Sequence, residues 1–130
     1  MVKREFNADY LNEIVNDPSV RGGIKNTLFD LDMSPIVDEM DNYVLSWEGG
    51  AFILVDKGEG VHELHTQALK SGRGKKLRVA ADEMFEYMHD KCEKITSMAS
   101  KDNPAARALA EEYMIQTHED DEYYYFERVM

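Results

Sequence analysis

Cysteine is nearly absent: Cys92 stands alone among 130 residues, so no intrachain disulfide can form and any stable fold must rest on a packed core. Apolar runs are short as well. None approaches the ~20 residues that cross a bilayer as a helix, and the opening MVKREFNADY has no apolar centre of the kind a signal peptide carries. A soluble protein of the reducing cytoplasm is expected. Cations are scarce, with 15 lysines and arginines against 26 aspartates and glutamates and a formal net charge of -11. That balance disfavours a broad nucleic-acid or anionic-membrane surface, because phosphate rewards clustered Lys and Arg, and it makes any local basic cluster informative. Single-stranded nucleic acid would also need an extended basic groove with aromatic platforms. His62, His65, His89 and His118 lack zinc-ligand spacing, so no metal site is expected.

What is present suffices for one domain over residues 1–130: 43% of the chain is hydrophobic, and neither a repeat nor a low-complexity linker divides it. After a short strand at Val2–Phe6, NADYLNEIVND reads as a helix capped by Asn7 or Asp9, with Tyr10, Leu11, Ile14 and Val15 as its apolar stripe and Pro18 as its stop. The next stretch is irregular, with a bend at Gly22 and Gly23 and short helical pieces around Ile24–Phe29 and Pro35–Met40. Then the period changes. YVLSWEGGAFILVDKGEGVHELHTQAL is rich in β-branched and aromatic residues and is cut by glycine turns, which predicts three antiparallel strands. In the third, Val61, Glu63, His65, Gln67 and Leu69 share one face and His62, Leu64, Thr66 and Ala68 the other.

From Lys75 the pattern is helical, with Leu77, Ala81, Met84 and Met88 at near four-residue spacing and Phe85 and Cys92 extending the stripe. EKITSMAS reads as a strand and DNPAARALAEEYM as a helix capped by Asn103 with Pro104 at its first position. IQTHEDDEYYYFERVM closes the chain as two strands around an acidic turn, with Tyr123, Tyr125 and Glu127 on one face. A strand, a helix and a further strand in one sheet require a parallel crossover, so the fold class is α+β: a mixed, mostly antiparallel sheet flanked by helices.

Between the third strand of the meander and the long helix lies KSGRGKK, a glycine-flanked basic cluster in an acidic protein. A helix start offers amides with no intrahelical acceptor and a positive dipole end, and glycines let backbone N–H groups approach an anion. Cations in a first turn cost a few tenths of a kcal/mol unless an anion compensates. The alternative is a solvated basic turn that only connects elements. The cluster matches neither the P-loop nor the dinucleotide glycine pattern.

The strand VHELHTQAL, the loop KSGRGKK, the helix to Cys92, the strand KITSMAS and the segment KDNPAARALAEEY together resemble the GCN5-related N-acetyltransferase superfamily, especially its short, divergent phage-encoded members. The resemblance implies that fold, acetyl-CoA as acetyl donor and an amine acceptor, on a small molecule or a basic protein. It places the pyrophosphate cradle at Gly72, Arg73, Gly74, Lys75 and Lys76, the edge that pairs with the pantetheine arm at Gln67, Ala68 and Leu69, and the family's later Asn at Asn103. The chain departs from the family pattern at Lys76, where a small residue is usual, and at Ala110, Met114 and Ile115, where a Tyr and then Gly-Phe are usual. A homodimer is compatible with the resemblance.

Acetyl transfer from a thioester to an amine needs a base, a polarised carbonyl and a proton for the thiolate. Glu63 and His65, two residues apart on one strand face beside the expected cleft, are the candidate catalytic bases; the plain alternative is a packing histidine beside a solvated acid. His62 faces the other way and reads as structural. With Ala110 in the tyrosine place, Tyr113 lies about one helical turn further on. A rival of another class is a non-catalytic binding protein that kept the scaffold, such as a phage accessory or virion component or a binder of a host protein.

Overall fold

The structure, a computed structural model, describes residues 2–21 and 30–130; the bend at Gly22–Gly23 and the helical piece at Ile24–Phe29 lie outside the described residues. The described strands are β1 (Lys3–Arg4), β2 (Tyr43–Trp47), β3 (Gly50–Gly58), β4 (Val61–Ala68), β5 (Lys94–Ser100), β6 (Ile115–Glu119) and β7 (Tyr123–Val129). They form a sheet in the order β1-β2-β3-β4-β5-β7-β6, antiparallel throughout except where β4 meets β5. The expected parallel crossover is therefore present, and it is made by α4 (Lys75–Met88). The remaining helices are α1 (Ala8–Val15), α2 (Pro18–Arg21), α3 (Ser34–Asp38) and α5 (Pro104–Tyr113).

Local chemistry sets the boundaries. Asn7, rather than Asp9, caps α1, its side chain accepting from the Asp9 amide at 2.8 Å. The helix ends at Val15, ahead of Pro18, which instead opens α2, as a proline lacking an N–H suits a first helical position. Asn103 caps α5 by accepting from the Ala106 amide at 3.1 Å. Cys92 falls beyond the end of α4, so it packs beside the core without extending the helix.

Two cores lie on the two faces of the sheet. On one face Ala80, Ala81, Met84, Phe85 and Met88 of α4 meet Leu45, Phe52, Leu54, Leu64, Ile95, Ala99 and Phe126. On the other, Leu11, Ile14 and Val15 of α1 meet Val20, Val37, Val44, Ala51 and Ile53. Met84 and Met88 are fully buried, and full burial of such a side chain is worth about 1.5–3 kcal/mol. That gain outweighs the few tenths of a kcal/mol that cations cost in the first turn of α4. His62 is buried as well. Its Nε2 lies 2.9 Å from the Asp41 carbonyl oxygen, which can only accept, so Nε2 carries the proton and Nδ1 is left without a partner.

Candidate active site

β4 and β5 pair only from Val61 to Glu63 against Lys94 to Thr96; beyond that point both strands continue but no longer pair with each other. The Ser97 hydroxyl donates to the Leu64 carbonyl at 3.3 Å, taking an acceptor that a continuing ladder would have used. The strands part there, and a cleft of about 570 Å³ opens between them, floored by Phe52, Met84 and Phe85 and walled by α5 through Ala106, Leu109, Ala110 and Tyr113.

The direction of the β4 backbone follows from one bond. The Leu69 amide donates to the Gly49 carbonyl at 2.8 Å, toward β3. Antiparallel alternation then turns the backbone groups of Glu63, His65 and Gln67 toward β3 and those of Leu64, Thr66 and Ala68 toward the cleft. The Ser97 bond to Leu64 and a bond from Arg73 Nε to the Ala68 carbonyl, 3.1 Å, agree with that assignment. The open strand edge therefore consists of the Thr66 N–H and C=O and the Ala68 N–H. Of the edge residues named from the sequence, Ala68 lies on it, Gln67 lines the cleft while its backbone serves β3, and Leu69 packs against the α1 core instead.

The basic loop divides in the same way. Lys70–Gly72 form a single 3-10 turn in which the Gly72 amide donates to the Leu69 carbonyl at 2.9 Å and the Gly72 carbonyl accepts from Trp47 Nε1 at 2.9 Å. A Cβ on Gly72 would stand 2.3 Å from the Gly49 carbonyl oxygen, so this glycine is required by the close approach of two loops. Its amide is used up. Arg73 is committed too, since its Nη2 donates to the Ser19 carbonyl at 3.1 Å while Nε holds Ala68. Among the described residues, the unengaged groups of this loop start at Gly74, which stands at the N-cap of α4 at φ 73° with open space around it. The first intrahelical bond runs from the Arg78 amide to the Gly74 carbonyl, which leaves the amides of Lys75, Lys76 and Leu77 without helical acceptors, and no acid occupies that first turn. Lys75 makes no ion pair among the described residues, and Lys76 lies 3.6 Å from the exposed carboxylate of Glu48.

Where the strands part, His65 Nε2 lies 2.8 Å from Glu63 Oε1, and Lys57 Nζ stands 3.9 Å from the other carboxylate oxygen. A carboxylate only accepts, so the His65 nitrogen facing Glu63, Nε2, carries a proton, while Nδ1 has no partner among the described residues. His65 lines the cleft, with Glu63 orienting it from behind. Asn103 also lines the cleft; its Oδ1 is spent on the α5 cap, while Nδ2 has no partner among the described residues. Sequence spacing did not place Tyr113 here, yet its ring stacks on Phe85 at 5.4 Å and its hydroxyl donates to the Arg78 carbonyl at 3.0 Å. Burial, and then the Asp82 carboxylate, push that hydroxyl up to about 12. Its position depends on how α5 leans on α4, which no linear spacing encodes.

The architecture is that of the GCN5-related N-acetyltransferases. A mutant of the spermidine N-acetyltransferase SpeG from Vibrio cholerae superposes with a TM-score of 0.73 at 12% identity, over 99% of this chain and 92% of that one. A dodecameric structure of spermidine N-acetyltransferase from the same organism gives 0.71 at 12% identity, over 99% and 92%. Campylobacter jejuni N-acetyltransferase PseH in complex with acetyl coenzyme A gives 0.65 at 12% identity, over 99% of both chains. No family model and no curated protein matches the sequence.

Proposed function

We propose that this protein is an acetyl-CoA-dependent N-acetyltransferase that moves an acetyl group onto an amine, on a basic protein or a small molecule. The observation that carries the reading is the continuous path from His65, backed by Glu63, along the unpaired Thr66–Ala68 edge to a helix start whose first amides have no helical acceptor and which Lys75 and Lys76 flank. A thioester with an amide-bearing arm and a diphosphate matches that path group by group. The arm's amides would pair with Thr66 and Ala68, and the diphosphate would take the amides of Lys75, Lys76 and Leu77 in a site where dipole and lysines favour negative charge. PseH, bound to acetyl coenzyme A, supports the choice of donor.

The chemistry follows from the groups present. His65 Nδ1 takes the proton of the incoming ammonium, the free amine attacks the thioester carbonyl, and the C–N bond forms as the C–S bond breaks. The Glu63 carboxylate stabilises the imidazolium formed at His65. The thiolate takes up the second amine proton through water, with Asn103 Nδ2, in the lining of the cleft, available to donate a hydrogen bond. Because the donor is an intracellular metabolite, the reading is of a single-domain enzyme of the cytoplasm, the host cytoplasm if the gene is a phage's.

Thermal unfolding with and without acetyl-CoA tests donor binding: at a hundredfold excess over Kd, a ligand specific to the folded state adds about 2.7 kcal/mol. No stabilisation at millimolar acetyl-CoA would favour the non-catalytic rival. Glu63→Gln is expected to keep that stabilisation and to slow thioester consumption by about 100-fold.

A further inference from the structure

We propose that the bare half of the sheet beside His65 is the docking platform for the acceptor, and that the acceptor is a lysine carried on a cationic polypeptide segment. The proposal rests on the acetyl-transfer reading and names its substrate class. The α1-side core draws on β2, β3 and Leu69 just beyond β4 but takes nothing from β5, β6 or β7, so no described helix of that core covers that part of the face. Strand register lines up two rows across it. Glu63, Thr96, Glu127 and Ile115 form one, and Met98, Tyr125 and His118 form the next, beside His65.

The surface has the chemistry of a cation receptor. The His118 ring stacks on Tyr125 at 4.4 Å and 8°, and the Tyr125 hydroxyl donates to Asp120 Oδ2 at 2.5 Å, which holds a flat aromatic plate in place. Asp120, Asp121 and Glu122 form the turn at one end of this plate. The described cations on the face are already engaged, Lys94 with Glu127 at 3.3 Å and Lys57 with Glu63 at 3.9 Å. Aromatic faces and surplus carboxylates attract ammonium and guanidinium groups. Exposed aliphatic side chains decide for a polypeptide over a small amine: Ile115 is 76% and Val129 72% exposed, at the far side of the face from His65. Three strand spacings, about 14 Å, separate β4 from β6, a span that an extended peptide covers while its lysine reaches the cleft. That lysine's ammonium loses one proton to His65 Nδ1; its nitrogen then forms the C–N bond as the C–S bond breaks, and the second nitrogen proton goes to the thiolate.

Fluorescence anisotropy with two labelled peptides, one lysine flanked by arginines or by glutamates, tests docking without the donor. The arginine-flanked peptide is expected to bind, the glutamate-flanked one not. The exposed double variant Asp121→Lys with Glu122→Lys should weaken binding roughly three- to tenfold at unchanged melting temperature. In turnover with acetyl-CoA the same variant should raise KM by a similar factor and leave kcat alone. Equal binding of both peptides, an unaffected double variant, or butane-1,4-diamine displacing the peptide and being acetylated faster would overturn the proposal. Failure of acetyl-CoA to stabilise the protein sinks the transfer reading by itself, while the anisotropy result still decides the platform.

Discussion

Replacing Gly72 by alanine should destabilise the protein far more than its small volume suggests. The new methyl group would stand 2.3 Å from the Gly49 carbonyl oxygen and 2.5 Å from its carbon, and neither belongs to a side chain that can swing away. One loop must back off. Overpacking of this kind costs about 1–3 kcal/mol, and the retreat also pulls the Gly72 carbonyl from Trp47 Nε1, a buried donor whose orphaning costs about 1–3 kcal/mol. Taking the middle of both gives about 4 kcal/mol, or a fall in melting temperature of roughly 10–15 °C for a domain of this size. Thermal unfolding followed by circular dichroism measures it, with Trp47→Phe as the control that removes the indole hydrogen bond without the clash. Gly74→Ala should cost less, about 1–2 kcal/mol, because space is open there and only the positive φ opposes a side chain. A Gly72→Ala protein that melts within about 2 °C of the parent would refute the close-approach argument.

Other expectations follow from the same geometry. Lys75→Ala should weaken acetyl-CoA binding about three- to fivefold by calorimetry with little change in stability, whereas Arg73→Ala, which frees the Ala68 and Ser19 carbonyls, should lower stability by about 1 kcal/mol. Asn103→Ala removes the α5 cap and should cost about 1 kcal/mol in chemical denaturation. Tyr113, raised from 10.0 to about 12 in the folded state, contributes stability that is complete below pH 10.0 and lost between there and about 12, so Tyr113→Phe should flatten the alkaline limb of a stability profile. Asp120 is held below 3.8, first by the Tyr125 hydroxyl and then by the Tyr123 and Glu122 amides. Its contribution is present above 3.8 and lost as pH falls through the lower folded value, and Asp120→Asn should remove that share of the acid limb.

Local chemistry made much of the architecture legible in the residues themselves. β-branched and aromatic alternation between glycine turns specified the β2–β3–β4 meander, four-residue spacing specified α4, and Asn103-Pro104 specified the start of α5, because caps and periodicities act over a few residues. The same alternation put Glu63 and His65 on one face, and in the structure they are hydrogen-bonded. Backbone direction was beyond reach: side-chain alternation does not say which amides turn to β3 and which to the cleft, so Thr66 was missed and Leu69 misplaced at the edge. Nor could spacing tell that Gly72 and Arg73 would be consumed by contacts with Gly49, Trp47 and Ser19, partners distant in the chain, and Arg73 also by the nearby Ala68 carbonyl.

What the sequence by itself determined is therefore the set of elements and the chemistry available to them. The tertiary structure alone decided where β4 and β5 part, which donors remain free at the start of α4 and which half of the sheet no described helix covers. Those outcomes depend on whether a hydrogen-bonding group finds its partner across the fold, and such partners are set by packing between segments far apart in the chain.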